Sequence, residues 1–376
     1  MVRIVDLTAH SGIYASRLMV ESGHDVIRVE PPQGDAVRRL GPYLGGTPNL
    51  ELGAFHLFLN AGKRSLTLNL DASPGRDIFL ALVKTADAVV ANVPLPLTLE
   101  EIAQANEKLA VVGVEDDAGP ELCAYARSGL LAITGHPGKR PALLGGHIVY
   151  AATGLYVAVA MSAALYGRQR SGHGQIVKVS IRQCLETLAE QSMIAYAAEG
   201  KITQRRGYRG AITAVSGAFP TSDGYWMASM PTTPGRWAEF MKWVQDPVLM
   251  ADKSLEDEAE RLVKRDFILD RLEAWSRQFP KEQMVEEAQR RHIPGTPVAV
   301  PLDLAQDPQL WARGFFEEKE HEEAGRPVLS PRGAIGVVLG TSLRPAPKRG
   351  QHNAEILREL GFSEVEHRAL VESGAV

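Results

Sequence analysis

Residues 2–7 (VRIVDL) alternate apolar and polar side chains and are rich in Val and Ile, the pattern of a half-buried strand. A turn follows over 8–12, then a short helical run over 14–22 closed by Gly23. A second alternating run, DVIRVE at 25–30, stops at Pro31 and Pro32. Strand, helix and strand at this spacing predict a βαβ unit with parallel strands and a right-handed crossover. A Gly62-Lys63-Arg64 turn feeds another alternating run, Ser73-Pro74-Gly75 opens a helix reaching about 85, and residues 87–92 (DAVVAN) read as the next strand. Residues 148–166 carry no charge and place apolar side chains on every turn, so they predict a helix buried all round. The loop RQRSGHG at 168–174 ends it, and QIVKVS at 175–180 alternates as a strand.

Downstream the pattern is more helical. Residues 182–199 predict one amphipathic helix, and Arg205, Arg206 and Arg209 lie in a Gly-flanked loop. Asp223-Gly224 between apolar runs is a hairpin signal. Residues 236–244 predict a helix with Trp237, Phe240 and Met241 on a core face. Residues 254–279 read as a charged, solvated helical segment, 281–292 as a helix, 298–300 as a strand, and 354–360 as a helix closed by Gly361.

Composition narrows the function classes. With 376 residues, 45% of them hydrophobic and 23% charged, the chain can bury one large elaborated domain or two smaller ones. A net charge of -4 gives no reason to expect nucleic acid or an anionic membrane as partner. Two cysteines, Cys123 and Cys184, exclude a disulfide scaffold. Both have apolar flanks and are expected to be buried and inert, which suits a reducing, cytoplasmic setting. The first residues run straight into a strand pattern, so no signal peptide is expected. The uncharged run at 148–166 approaches the roughly 20 residues that span a bilayer. Its richness in Ala, Gly, Ser and Thr, and its isolation, point to a core helix instead. The histidines show no metal-ligand spacing, and no G-x-S-x-G elbow occurs. The first βα turn has only Gly12 and lacks G-x-G-x-x-G, so a nicotinamide cofactor is not expected.

Several stretches carry a resemblance: the opening Asp6-Leu-Thr, GHDVIRVEPP at 23–32, the Gly62-Lys63-Arg64 strand, Ala91-Asn92, and GLYVAVAMSAALYGRQRSGHGQIVKVS at 154–180. GAFPTSDGYW at 217–226 and DPQLWARGFF at 307–316 continue it. In this order they resemble the family III CoA-transferases, the superfamily of formyl-CoA transferase, carnitine CoA-transferase and alpha-methylacyl-CoA racemase. The match covers nearly the whole chain and is weakest over 94–125, where Glu100-Glu101 and VVGVEDD at 111–117 replace a basic turn.

The resemblance implies an α/β fold with an open parallel Rossmann-like large domain built from both chain ends. It places the large domain at 1–216, a small α+β domain at 217–297 and a C-terminal return at 298–376. It implies an interlocked dimer whose chains cross near 207–217 and 294–301. Coenzyme A or acyl-CoA would be a substrate, with no tightly bound cofactor. Family contacts to CoA map to His10, Leu68 and Asn92, with Lys63 and Arg64 as the nearest cations.

The family's nucleophile is an Asp four residues before the Gly that opens the central helix. Counting back from Gly154, that position holds Tyr150. A phenol of pKa about 10 is a poor acyl acceptor. The racemase branch's His falls on Pro120, followed by Glu121, so its proton-transfer pair is absent too. The expected function is therefore a subunit of a hetero-oligomeric acyl-CoA:carboxylate CoA-transferase whose related partner carries the Asp. Some members, (R)-benzylsuccinate CoA-transferase among them, are built from two related subunits. The alternatives are a lyase, hydratase or isomerase of altered chemistry using Tyr150, His147 or Glu121, a non-catalytic acyl-CoA-binding homodimer, or a transferase whose Asp is Asp116 or Asp117.

Overall fold

The alternating Val- and Ile-rich runs form strands β1 (Arg3–Leu7), β2 (Asp25–Glu30), β3 (Arg64–Thr67), β4 (Ala88–Val93), β5 (Ala110–Glu115) and β6 (Gln175–Ser180). In the computed structural model, which describes residues 1–210, 213–229 and 235–376, they make one parallel sheet in the order β3-β2-β1-β4-β5-β6. Val5, Ile27, Leu66, Val89 and Val111 are fully buried within it, as expected where helices cover both faces of a parallel sheet. The strand order reverses between β1 and β4. The crevice at such a reversal, outside the carboxyl ends of the strands, is where open α/β sheets place their ligands.

The chain divides into two compact units. The first comprises Met1–Leu130, Leu144–Ile194 and Asp307–Val376. It holds the six-stranded sheet, the first helix (Ile13–Glu21) and the central helix (Ile148–Ser171). The central helix packs on the first helix and on β5 and β6. Gly154 permits that approach: a Cβ there would lie 2.7 Å from Cβ of Tyr14. By length and composition this helix could cross a membrane, but one face of it is the core contact just described. It is not buried all round. Val149, Val157, Met161 and Ala164 are buried, whereas Leu155, Val159 and Tyr166 are 52%, 69% and 61% exposed. Among the described residues nothing covers that second apolar face. The C-terminal return docks on β3, where Asn353 Oδ1 accepts the Thr67 amide at 3.0 Å.

The second unit comprises Leu131–Leu143 and Ala195–Gln306. Its antiparallel sheet is β7 (Ser216–Pro220), β8 (Tyr225–Ser229) and β9 (Gly295–Pro297). The Asp223-Gly224 turn joins β7 to β8, with the Thr221 amide donating to the Gly224 carbonyl at 2.9 Å. The core is aromatic: Trp226, Phe240 and Met241 are buried, and Trp243 lies edge-on to Trp226 and Trp275. Boundaries at 217 and 297 differ from these units. Residues 195–210 lie in the second unit, bonded to the 131–143 loop, where the Gly207 amide donates to the Gly135 carbonyl at 2.9 Å, and to β7, where the Ala218 amide donates to the Tyr208 carbonyl at 3.0 Å. The expected chain crossing at 207–217 includes residues 211 and 212, which lie outside the described residues.

Other local expectations shift for local reasons. Residues 182–199 form two helices, Ile181–Leu188 and Glu190–Glu199, which break at Ala189. The charged segment splits into Glu258–Val263, capped by Asp257, and Arg265–Ser276. The strand expected at 298–300 sits earlier, at β9. A hairpin of β10 (Phe316–His321) and β11 (Arg326–Pro331) escaped the sequence pattern because FEEKEH carries charges where strands usually carry β-branched residues. Cys184 is buried and its thiol is pushed up to about 11, chiefly by burial, but Cys123 is exposed on the outer face of the helix Glu121–Arg127. Glu100 and Glu101, which stand in place of a basic turn, begin the helix Leu99–Gln104, where Glu101 closes a capping box with Thr98.

Candidate functional site

The carboxyl ends of β1 and β4 meet through one side chain. Asn92, on β4, accepts the Ala9 amide on Oδ1 at 2.6 Å and donates from Nδ2 to the Ser11 hydroxyl at 2.7 Å. That clasp sets the turn after β1, which carries His10. Gly12 closes the same turn: a Cβ there would come within 2.5 Å of the Thr8 methyl. The turn is held from beneath by Asp6, whose Oδ1 accepts the Thr8 amide at 2.8 Å and the Thr8 hydroxyl at 2.6 Å.

Across the crevice, two left-handed residues, Gly146 (φ 84°) and His147 (φ 52°), turn the chain into the central helix. His147 is the N-cap, and its carbonyl accepts the Tyr150 and Ala151 amides, both at 3.1 Å. The turn lays the His147 ring over Tyr150, centroids 5.8 Å apart and nearly parallel. His10 stacks with the same tyrosine at 5.5 Å. His147 Nδ1 lies 2.9 Å from Glu121 Oε2, and Phe55 meets the His147 ring edge-on at 4.9 Å. His10, His147 and Tyr150 rim a cavity of about 270 Å³ whose remaining wall, including Tyr14, Phe55 and Phe58, is mostly apolar.

The electrostatics keep the rim uncharged where the shifts are resolved. Burial pushes the Tyr150 phenol up, and the negative charges of Glu121 and Asp116 push it further. Burial lowers the His10 imidazole, against the pull of Asp35. At neutral pH Tyr150 is thus a neutral hydrogen-bonding group and no oxyanion nucleophile.

A second cleft of about 570 Å³ opens at the carboxyl ends of β1 to β4, lined by Glu30, Pro31, Leu68, Asn69 and Leu95 among others. Leu68 is buried in its wall.

Lys63 and Arg64 are placed differently from a phosphate-binding turn. Lys63 is buried, and its ammonium donates to Asp6 Oδ2 at 3.0 Å, Ser16 Oγ at 2.8 Å and Asn60 Oδ1 at 3.1 Å. All three of its donors are used. Burial pushes Lys63 down to about 8, against the attraction of Asp6. Burial raises Asp6, but Lys63, Arg28 and the Ser16 and Thr8 hydroxyls outweigh it and hold the carboxyl below the usual range. Arg64 is saturated by Asp25, Glu355 and Glu359. Neither cation is free to meet a cofactor, because the sheet's own carboxylates occupy both. Asp117 is likewise engaged, accepting the Ser180 hydroxyl at 2.6 Å.

The structure therefore brings His10, Tyr150, His147 and Glu121 together, and sets Asn92 as the clasp behind them. Sequence reasoning missed Tyr14, Phe55 and Phe58. Their signal was weak: single aromatics in short helices, indistinguishable from ordinary core residues.

Comparison with known proteins agrees with this architecture. The family model of CoA-transferase family III matches residues 2–353. The chain is 31% identical over 403 aligned residues to "Succinyl-CoA:(R)-benzylsuccinate CoA-transferase subunit BbsE" of Thauera aromatica, covering 100% of this chain and 97% of that one. It is 28% identical to "Succinyl-CoA--L-malate CoA-transferase alpha subunit" of Chloroflexus aurantiacus, over 96% of this chain and 88% of the other. A solved CAIB/BAIF family protein from Brucella suis superposes with TM-score 0.84 at 25% identity, over 96% of this chain and 98% of that one.

Proposed function

The chain belongs to CoA-transferase family III, and on that premise we propose that it is one subunit of a two-chain acyl-CoA:carboxylate CoA-transferase whose related partner supplies the catalytic Asp. The observation that carries the reading is the state of Tyr150. It stands where the family's nucleophile is expected, and its phenol is neutral and stacks with two imidazoles. CoA transfer needs a carboxylate that attacks the thioester and then holds CoA as an enzyme thioester. Tyr150 supplies no such group.

The other features fit a supporting role. The cleft at the carboxyl ends of β1 to β4, with Leu68 in its wall, suits the adenosine end of an acyl-CoA. The apolar cavity beside Tyr150 suits an acyl group. The uncovered face of the central helix, with Leu155, Val159 and Tyr166, suits a chain of the same family, as the subunit relatives suggest. One observation favours a second reading. The Glu121–His147 hydrogen bond beside Tyr150 is a carboxylate–imidazole pair of the kind that moves protons, which would serve an isomerase or lyase acting on a CoA ester.

The test is to express the chain alone and together with a related family chain, weigh the products by light scattering, and assay CoA transfer from succinyl-CoA to a panel of carboxylates. A one-to-one complex whose activity survives Tyr150→Phe and vanishes when the partner's Asp is replaced is the expected result. Turnover by this chain alone that is abolished by His147→Gln overturns it in favour of the second reading.

A further inference from the structure

The cavity of about 270 Å³ beside Tyr150 has a wall of Ile13, Tyr14, Val37, Leu40, Phe55 and Phe58 below its rim of His10, His147 and Tyr150. Its lining belongs entirely to the first unit. None of the described residues that line it is Lys, Arg, Asp or Glu. The arginines adjacent to the wall are spent elsewhere. Arg17 lies over Phe58, 4.8 Å from the ring centroid, but it is buried and fully bonded. It donates to Glu21 and to the Phe58 carbonyl, both at 2.7 Å, and to the Arg332 carbonyl at 3.2 Å. Arg38, next to Val37, is buried and paired with Glu30 and Glu51. Arg39, next to Leu40, donates to the Gln33 carbonyl at 3.4 Å.

The rim adds no net positive charge. His147 Nδ1 lies 2.9 Å from Glu121 Oε2, so a proton on that imidazole is matched by the carboxylate, and without the proton the pair is negative. Burial keeps the His10 imidazole neutral. It also keeps the phenols of Tyr14 and Tyr150 protonated, and Glu21 and Glu121 push them the same way. A carboxylate lodged in this cavity would lose its water and meet no cation. It would also sit near the negative charges of Glu121 and Asp116 that already raise Tyr150. A carbonyl at the rim fares differently, because a neutral phenol donates a hydrogen bond to it.

We propose that this cavity takes an uncharged, ring-bearing acyl group of a CoA thioester and rejects an acyl group that ends in a second carboxylate. The inference rests on reading the cavity as the acyl pocket of a CoA-transferase subunit. Size agrees with it. An apolar cavity of about 150 Å³ takes a benzene ring. This one is nearly twice as large, enough for a ring and a short link to the thioester. The wall agrees as well, since aromatic pairs gain more than the area they bury. Tyr14, Phe55 and Phe58 supply three such partners. The thioester carbonyl is left at the rim, where the Tyr150 hydroxyl is the donor.

The test uses the full chain and reads binding. CoA, phenylacetyl-CoA, hexanoyl-CoA, succinyl-CoA and benzyl alcohol are titrated by calorimetry into the parent, Ala151→Leu and Leu40→Lys, each checked first by thermal melting. Ala151 lines the cavity from the central helix, where Leu fills space at little cost in helix propensity. We expect phenylacetyl-CoA to bind the parent at least ~10-fold more tightly than CoA, the gain from burying one phenyl-sized group. Succinyl-CoA should bind no more tightly than CoA. Ala151→Leu should remove the phenylacetyl gain. Leu40→Lys should tighten succinyl-CoA at least ~3-fold by giving its second carboxylate a cation. Succinyl-CoA binding the parent as tightly as phenylacetyl-CoA overturns the proposal. So does a phenylacetyl gain untouched by Ala151→Leu, or a succinyl-CoA affinity untouched by Leu40→Lys. Hexanoyl-CoA binding as tightly as phenylacetyl-CoA overturns the ring. Benzyl alcohol separates the inference from the reading beneath it. If it binds the parent and not Ala151→Leu while no CoA compound binds, the preference for an uncharged ring stands and the CoA-ester reading falls. Binding of none of the five overturns both.

Discussion

Two basic segments of this chain look alike in sequence and differ completely in space. Gly62-Lys63-Arg64 and the Arg205–Arg206–Arg209 loop are both Gly-flanked clusters of cations. The first is sealed: Lys63 has three acceptors, Arg64 has three carboxylates, and both are buried. The second borders a cavity, and beside it Arg265 keeps a buried edge without a hydrogen-bond partner among the described residues. The comparison teaches that a basic turn is available to a ligand only if its own fold has not already supplied the anions. The β1 and β2 carboxylates Asp6 and Asp25 did so for the first. In the second, the acids of the helix Arg265–Ser276 pair with Arg209, and Glu273 also accepts the Tyr208 hydroxyl.

The largest test of that contrast is Asp6→Ala. It strands Lys63 and Arg28, both buried, without their shared partner. Breaking a buried pair from one side costs about 3–5 kcal/mol, so the urea midpoint should collapse or the chain should fail to fold. A loss near that of a surface pair would mean that the network is wet, and the contrast would fail.

The next effect is on pH. His56 is buried, and Arg38 Nη1, which can only donate, lies 3.1 Å from its Nε2. That nitrogen must accept, so the ring is neutral. Burial first, then Arg38, lowers its pKa to about 3. An unfolded histidine titrates near 6.5, so below that pH the unfolded state binds a proton that the folded state refuses. Stability is therefore fully present above about 6.5 and declines as pH falls toward about 3. Urea midpoints across this window should show the decline, and His56→Gln should flatten it without changing the further loss at lower pH, where Asp6 becomes protonated.

Arg209→Ala should matter less. Asp266 and Asp270 are 84% and 69% exposed, so this cluster is solvent-screened. A cost of about 1 kcal/mol or less, shrinking with added salt, is expected from denaturant titration. A cost rivalling that of Asp6→Ala would erase the distinction between the two regions. Smallest of all is Tyr150→Phe. Its hydroxyl makes no hydrogen bond among the described residues, so stability should change within about 0.5 kcal/mol. Thermal melting of the variant checks this.

Much of the large unit was legible in the chain. Strands β1, β2, β4 and β6 announce themselves because alternating or continuous β-branched runs have one stable use, a sheet buried on both faces. The Asp223-Gly224 turn was readable as a turn-forming pair between two apolar runs, although neither residue has a positive φ. His10, Asn92 and Tyr150 could be located from motif order, since a turn after β1 and the end of β4 must meet at the sheet's reversal point. What failed were statements about surroundings. The central helix was read as buried on all sides, yet half of it faces away from the single chain, because composition reports apolarity and not what covers it. The hairpin of β10 and β11 hid behind charged residues, held by its pairing and not by its propensity.

The amino-acid sequence by itself determined the parallel α/β sheet, the hairpin of the small unit, the family, and the presence of a tyrosine where a carboxylate was expected. Those depend on local periodicity and residue identity. Only the tertiary structure decided that Lys63 and Arg64 are structural, that His147 turns through a left-handed N-cap to stack on Tyr150, and that Arg265 stands with an unanswered edge. Charge, exposure and hydrogen-bond satisfaction are set by residues distant in the chain: Asp6 is 57 positions from Lys63, and Glu355 is 291 from Arg64. No local pattern encodes which of the 45 acidic side chains will arrive at a given cation, because burial in the assembled core makes that choice.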